Sequence, residues 1–167
     1  TATKNFSRMC GKYRREYEAD KKDKNYTSIN FPILRYADVL LMIAEAENEA
    51  NNGPTTLAYQ CMKEVRERAG GTAFRIESSD LTLALLQNER KIELAFEDHR
   101  AWDLRRWNVA EKALARDIYG VEVTQERGQL KYTRKVVGNR VFEEKMYLYP
   151  IPEAEVWKTG IENNPGW

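Results

Sequence analysis

The chain has 167 residues, 42% of them hydrophobic, which is enough for one compact domain with a proper core. Its 27 lysines and arginines nearly balance 26 acids, so no charge excess marks a surface for nucleic acid or anionic lipid, and nucleic acid is not expected as a partner. No run approaches the length of a membrane-spanning helix, and residues 1–10 are polar, without the apolar core of a signal peptide.

Residues 1–29 are polar and rich in Lys, Asp and Tyr, the composition of an irregular segment packed against something else. Pro32 then punctuates the chain. From Leu34 to Ala50 helical spacing puts Tyr36, Val39, Leu40, Ile43 and Ala50 on one side, and Leu41, Met42 and Ala44 make the middle apolar nearly all round, so this helix is expected to be central. Asn52, Gly53 and Pro54 stop it. A second helix follows from Thr55 to Ala69, with Leu57, Cys61 and Val65 inward and Arg66 and Arg68 near its C-terminus. So short a link makes the pair antiparallel, and small Ala46 and Ala58 allow close approach; residues 34–69 read as one tetratricopeptide-like helical hairpin. Cys61 is a core thiol at this spacing.

Gly70 and Gly71 end the hairpin, and Ser78, Ser79 and Asp80 offer caps for a third helix from Leu81 to Phe96. Trp102 to Arg116 reads as a fourth, so residues 80–116 form a pair of charged helices. After Gly120 the pattern alternates loosely, and Lys131–Val137 with Arg140–Tyr149 suggests a β-hairpin over 131–149 turning at Gly138 and Asn139. Residues 150–167 form a turn-rich tail, with one helical turn at Glu153 to Lys158.

The densest stretch is Glu89 to Trp107, ERKIELAFEDHRAWDLRRW, where acids and arginines crowd among core-type side chains. On the third helix Glu89, Glu93 and Glu97 fall four apart on one stripe, beside Leu81, Leu85, Ile92 and Phe96. Carboxylates so close to an apolar face need counter-charges, and Arg100, Arg105 and Arg106 are the nearest forked donors. Glu89, Glu93, Glu97, Arg100, Asp103 and Arg106 are therefore expected to form a structural ion-pair network. Glu93 and Glu97 could be imagined as the acid and nucleophile of a glycosidase, but they sit one turn apart on one helix rather than across a cleft. His99 is the single histidine and belongs to no HExxH or ExxH arrangement, so no metal or His-assisted nucleophile is expected. There is no Gly-rich phosphate loop and no GxSxG elbow. No catalytic residues and no cofactor are assigned.

Aromatic side chains are the other candidate chemistry, because proteins that hold sugars stack pyranose faces on Trp and Tyr. Trp102, Trp107 and Tyr36 sit in helix patterns and read as core. Tyr13, Tyr17 and Tyr26, in the polar first segment, are the exposed candidates for glycan contact.

Blocks Asn30 to Ala50 (NFPILRYADVLLMIAEAENEA), Glu89 to Trp107, and Tyr147 to Trp167 (YLYPIPEAEVWKTGIENNPGW) together resemble, in order, the C-terminal part of the SusD/RagB family of outer-membrane nutrient-binding lipoproteins from Bacteroidetes. Asp98 stands where the family commonly has Gly, and Asn163 where Gln is usual. The resemblance implies a mainly α, SusD-like helical lobe with a small β-hairpin, the C-terminal piece of a longer lipoprotein whose lipid-anchoring cysteine lies upstream; Cys10, preceded by TATKNFSRM, is not that anchor. It further implies capture of oligosaccharide or another nutrient at the cell surface, without catalysis, for a TonB-dependent, SusC-like transporter. The membrane is then contacted only through the N-terminal lipid. The family's glycan platforms are built largely from upstream parts of the chain. A different reading takes the lobe as a tetratricopeptide-like scaffold for protein contact alone, with no ligand site.

Overall fold

A computed structural model describes residues 10–18 and 27–167. The chain divides into two units, one spanning Cys10–Arg100 and the other containing Ala101–Trp167.

In the first unit, α1 (Tyr36–Ala50) and α2 (Thr56–Gly70) form the expected helical hairpin. The link is built from turn chemistry. Asn52 and Gly53 take positive φ, the Gly53 amide donates to the Asn48 carbonyl at 2.9 Å, and the Thr55 hydroxyl caps α2 by accepting from the Ala58 amide at 3.1 Å. The same hydroxyl donates to Glu47 at 2.9 Å, which ties the cap of α2 to the last turns of α1. Leu40, Leu41, Ala44, Ala58, Cys61, Met62, Val65, Leu81 and Leu86 make the core.

The inward face of α1 differs from the expected one. Ala37, Asp38, Leu40, Leu41, Ala44, Glu45 and Asn48 are buried, whereas Tyr36, Val39, Met42 and Ile43 are exposed. Small and medium side chains allow α1 to lie close to α2, and the large β-branched and aromatic ones are left outside. Leu57 is exposed too, while Cys61 and Val65 point inward, and burial raises the Cys61 thiol pKa.

The third helix, α3 (Leu83–Glu93), starts at Thr82, whose side chain accepts from the Leu85 amide at 3.2 Å; Ser78–Asp80 form a separate 3-10 turn. It ends sooner than its apolar spacing predicts. Leu94 closes it, and Phe96 and Asp98 adopt φ of 65° and 61°, which an α-helix cannot continue through. Ile92, on the outer side of α3, and Phe96, beyond its end, are both exposed, while Glu89 and Arg90 are buried.

Helix α4 (His99–Arg106) contributes its residues from Ala101 onward to the second unit. A single fourth helix to Arg116 is not formed: Asn108 takes φ of 54°, and the chain restarts as α5 (Ala110–Leu114). Leu104, Ala110 and Phe142 form a small core, with Val109, Leu114, Met146 and Tyr147 against it. The β-hairpin lies upstream of the expected 131–149. Strands β1 (Asp117–Glu126) and β2 (Gln129–Asn139) pair antiparallel around Arg127 and Gly128, both at positive φ. Gly138 and Asn139 lack that backbone conformation and belong to β2, where they pair with Ile118 and Asp117. A short α6 (Glu153–Thr159) follows, closed by Gly160 at φ 73°.

Candidate functional site

The three glutamates of the charged stretch all meet cations, but from other parts of the first unit than expected. Arg35, the residue before α1, is the hub. It donates from Nε to Glu97 Oε2 at 2.6 Å, from Nη1 to Glu93 Oε1 at 2.6 Å, and from Nη2 to the Glu93 backbone carbonyl at 2.6 Å. Lys12 Nζ reaches the same carbonyl at 2.6 Å and the other oxygen of Glu97. Arg68 Nη2 adds a third cation on Glu93 at 2.6 Å, and Arg66 Nη1 meets Glu89 at 2.5 Å while its Nε holds the Phe74 carbonyl at 2.8 Å.

Two physical needs meet in this clamp. Residue Glu93 ends α3, so its carbonyl lacks an intrahelical partner, and two cations placed there satisfy it and complement the negative end of the helix dipole. Glu97, whose side chain is only 3% exposed, has a carboxylate that must be matched to remain charged. Burial pushes its pKa up, but the hydrogen bonds from Arg35 and Lys12 prevail and hold it below the usual carboxylate range. Arg35 responds reciprocally: burial pulls its pKa down, and the bonds to Glu97 and Glu93 more than restore it.

A second ionic cluster lies deeper. Arg90, 4% exposed, donates from Nη1 to Asp38 at 2.9 Å, and its Nε is 3.9 Å from Glu45. Asp38 is 1% exposed and stands in the first turn of α1, where a negative charge also suits the dipole. Sequence spacing did not single out Asp38, Glu45, Lys12 or Arg35. Two of them, Asp38 and Glu45, carried a signal, since acids seven residues apart flank the Leu40, Leu41, Ala44 face.

Two of the expected arginine donors, Arg105 and Arg106, make contacts within the second unit. Arg106 Nε pairs with Asp103 at 2.9 Å and lies over the Trp107 ring, and Arg105 lies among the rings of Trp102, Phe142 and Tyr149. Arg100 is half-buried in the first turn of α4, and the hydrogen bonds to Glu89, Glu93 and Glu97 described above come from Arg66, Arg35, Arg68 and Lys12. The clamp on the glutamates lies within the first unit, and Asp103 pairs with Arg106 within the second.

Of the tyrosines, Tyr13 is half-buried at φ 55°, its ring 5.3 Å from that of Phe31, and its hydroxyl is sealed from solvent with no hydrogen-bond partner among the described residues. Burial and the Glu97 charge raise its pKa. Tyr17 is exposed, and Tyr26 lies outside the described residues. Trp102 and Tyr36 are exposed rather than core, and Trp107 is half-buried.

A general acid needs a raised carboxyl pKa, and Glu97 moves the other way; Glu93 and Glu97 also share one guanidinium instead of facing each other across a cleft. Among the described residues no group of three or more His, Cys, Asp and Glu could hold a metal ion, and no helix is long and apolar enough to cross a membrane.

What the fold and the clamp define is a helical-hairpin lobe whose charges hold secondary structure together. The SusD family model matches residues 1–167, and the chain belongs to the SusD family. It is 30% identical over 151 residues to SusD-like protein P2 of Formosa agariphila, covering 84% of this chain and 26% of that protein. With SusD-like protein P25 of the same organism it shares 42% identity over 96 residues, 55% of this chain and 18% of the relative. A crystal structure of a SusD-like protein from Bacteroides fragilis matches with a TM-score of 0.70 at 29% identity, over 83% of this chain and 26% of that one. A SusD homologue from Bacteroides thetaiotaomicron matches with a TM-score of 0.59 at 29% identity, over 84% and 28%. The chain thus spans about a quarter of the length of the first of these relatives, in their C-terminal part. The family is generally non-catalytic.

Proposed function

We propose that this chain is the C-terminal lobe of a lipid-anchored, cell-surface protein that binds oligosaccharide or another nutrient without cleaving it and delivers it to a TonB-dependent, SusC-like transporter in the outer membrane. The observation that carries the reading is family membership along residues 1–167. The clamp is consistent with it, because the carboxylates of Glu89, Glu93 and Glu97 are engaged by Lys12, Arg35, Arg66 and Arg68 rather than facing one another across a cleft. In this reading the ion-pair residues keep the lobe folded, and Tyr17, exposed among the described residues, is available for glycan contact.

The test is calorimetric titration of the complete lipoprotein with a panel of polysaccharides, alongside a reducing-end assay. Binding without release of reducing ends is expected. Turnover that disappears in a folded Glu93→Gln or Glu97→Gln variant would overturn the assignment. The scaffold reading draws on a different observation, the exposed Tyr36, Val39 and Ile43 on α1, an apolar stripe suited to a polypeptide neighbour. A complete lipoprotein that bound no glycan at all would favour it.

A further inference from the structure

Arg105 differs from three other arginines that are drawn below the surface. Arg35 and Arg66, both half-buried, and the buried Arg90 each meet a carboxylate. Arg105 is also half-buried, yet among the described residues it meets only aromatic rings: its guanidinium carbon is 4.8 Å from the ring centre of Tyr149, 5.6 Å from that of Phe142 and 5.8 Å from that of Trp102. Its Nε is sealed from solvent and has no hydrogen-bond partner among the described residues. Five donors in a fixed fork are a large capacity to leave without an anion.

The rings divide into a support and a platform. Phe142 belongs to the small core of the second unit, whereas Trp102 and Tyr149 are 59% and 58% exposed, with ring centres 6.2 Å apart and planes tilted by 56°. The C-terminal tail fixes the platform. Asn164 donates to the Tyr149 carbonyl at 2.6 Å, and Asn163 accepts from the Ile151 amide at 2.8 Å while donating to its carbonyl at 3.3 Å. Preorganised aromatic faces lose little freedom when something stacks on them.

A ligand suited to this place offers an apolar face to Trp102 and Tyr149 and an anionic group to the guanidinium. A neutral sugar supplies only the first. A sugar residue bearing a carboxylate or a sulfate supplies both, since either anion can take the charge-assisted fork of an arginine, and exclusion of water by the rings strengthens that contact. We propose that Trp102, Arg105 and Tyr149 form a subsite for an acidic saccharide residue. The proposal rests on the glycan-capture reading and places part of the recognition inside this lobe.

The experiment is an NMR titration of the 167-residue chain with methyl glucuronide, methyl glucoside 6-sulfate and neutral methyl glucoside, following the Arg105 Nε–H and Trp102 indole signals. At least one acidic glycoside should move both signals and bind about tenfold or more tightly than the neutral one, and the two acidic arms tell carboxylate from sulfate recognition. Arg105→Gln should abolish the preference for acid, and Trp102→Phe should retain more binding than Trp102→Ala. The indole signals of Trp107, Trp157 and Trp167 report whether each variant still folds. The proposal fails if neither acidic glycoside moves the signals, if the preference survives in folded Arg105→Gln, or if inorganic sulfate alone reproduces the response, which would make this a plain anion site. Failure of the chain here, while the complete lipoprotein still binds glycans, sinks the subsite and leaves the wider reading standing.

Discussion

Replacing Arg35 with alanine should destabilise the first unit more than any exposed ion pair can. Arg35 donates three hydrogen bonds of 2.6 Å, two to carboxylates and one to the carbonyl that ends α3, and its side chain is 25% exposed. Breaking a buried pair by removing one partner costs on the order of 3–5 kcal/mol, because the remaining charge stays buried. Lys12 still reaches Glu97 and Arg68 still reaches Glu93, so part of that penalty is relieved. About 2–4 kcal/mol is left, which corresponds to a fall of about 1–2 M in the urea midpoint at a slope of about 2 kcal/mol/M. Arg75→Ala is the control, since Arg75 stands at the surface and its pair with Glu67 is screened by solvent. Far-UV circular dichroism is the readout, because α1, α2 and α3 lie in the first unit and all four tryptophans, Trp102, Trp107, Trp157 and Trp167, lie outside it. A double-mutant cycle with Glu97→Gln then isolates the direct coupling. Equal, small shifts for Arg35→Ala and Arg75→Ala would refute the reasoning and show the clamp to be solvated.

Three further outcomes follow from the same geometry. Arg90→Met alone should cost about 3–5 kcal/mol by stranding Asp38 at 1% exposure, whereas Arg90→Met with Asp38→Leu should recover much of it, and urea titration of the single and double variants decides this. Acidification should weaken the clamp: Glu97 has a folded-state pKa below its ordinary 4.5, so its stabilising contribution is present above that pH and is lost as pH falls through the lower folded-state value. Melting curves at pH 6 and pH 3 should show an acid-induced drop that is smaller in Glu97→Gln. Asp98, at φ 61°, should accept glycine with little change, while Asp98→Val should lose about 1–2 kcal/mol by forcing a β-branched residue into the left-handed region, measured as a shift in thermal midpoint.

Helix limits in the first unit were legible where local chemistry sets them. Asn52, Gly53 and Thr55 turn the chain between α1 and α2 by positive φ and a side-chain cap, both short-range effects. Which face turned inward was not legible, because large apolar residues outweighed small ones in the reading, while close packing selected Ala37, Leu41 and Ala44 and left Tyr36 and Ile43 outside. The central glutamates announced a need for counter-charge, but their donors come from 23 to 85 positions away, beyond the reach of any spacing rule. Composition misplaced the hairpin turn. Gly138 and Asn139 are residues that turns favour, yet the backbone reverses at Arg127 and Gly128, where the strands' pairing leaves the link. Asp98 is instructive in the opposite sense. A backbone at φ 61° suits glycine, and aspartate is among the few other residues that tolerate it.

Apolar side chains could fill the space the clamp occupies, and swapping a buried ion pair for well-packed hydrophobic residues is often neutral or favourable. What they could not do is bond the carbonyl of Glu93, which would be left without an acceptor's partner at the end of α3. Arg35 does this and binds both carboxylates at once, so the position of the residue before α1 is fixed relative to the last turn of α3 by directional bonds. Nondirectional burial at Leu40, Leu41 and Leu86 brings α1 and α3 together but tolerates sliding. The charges therefore set register where the apolar core sets proximity, and this accounts for their concentration at helix ends, on Glu93 at the end of α3 and on Asp38 at the start of α1, rather than along the exposed faces.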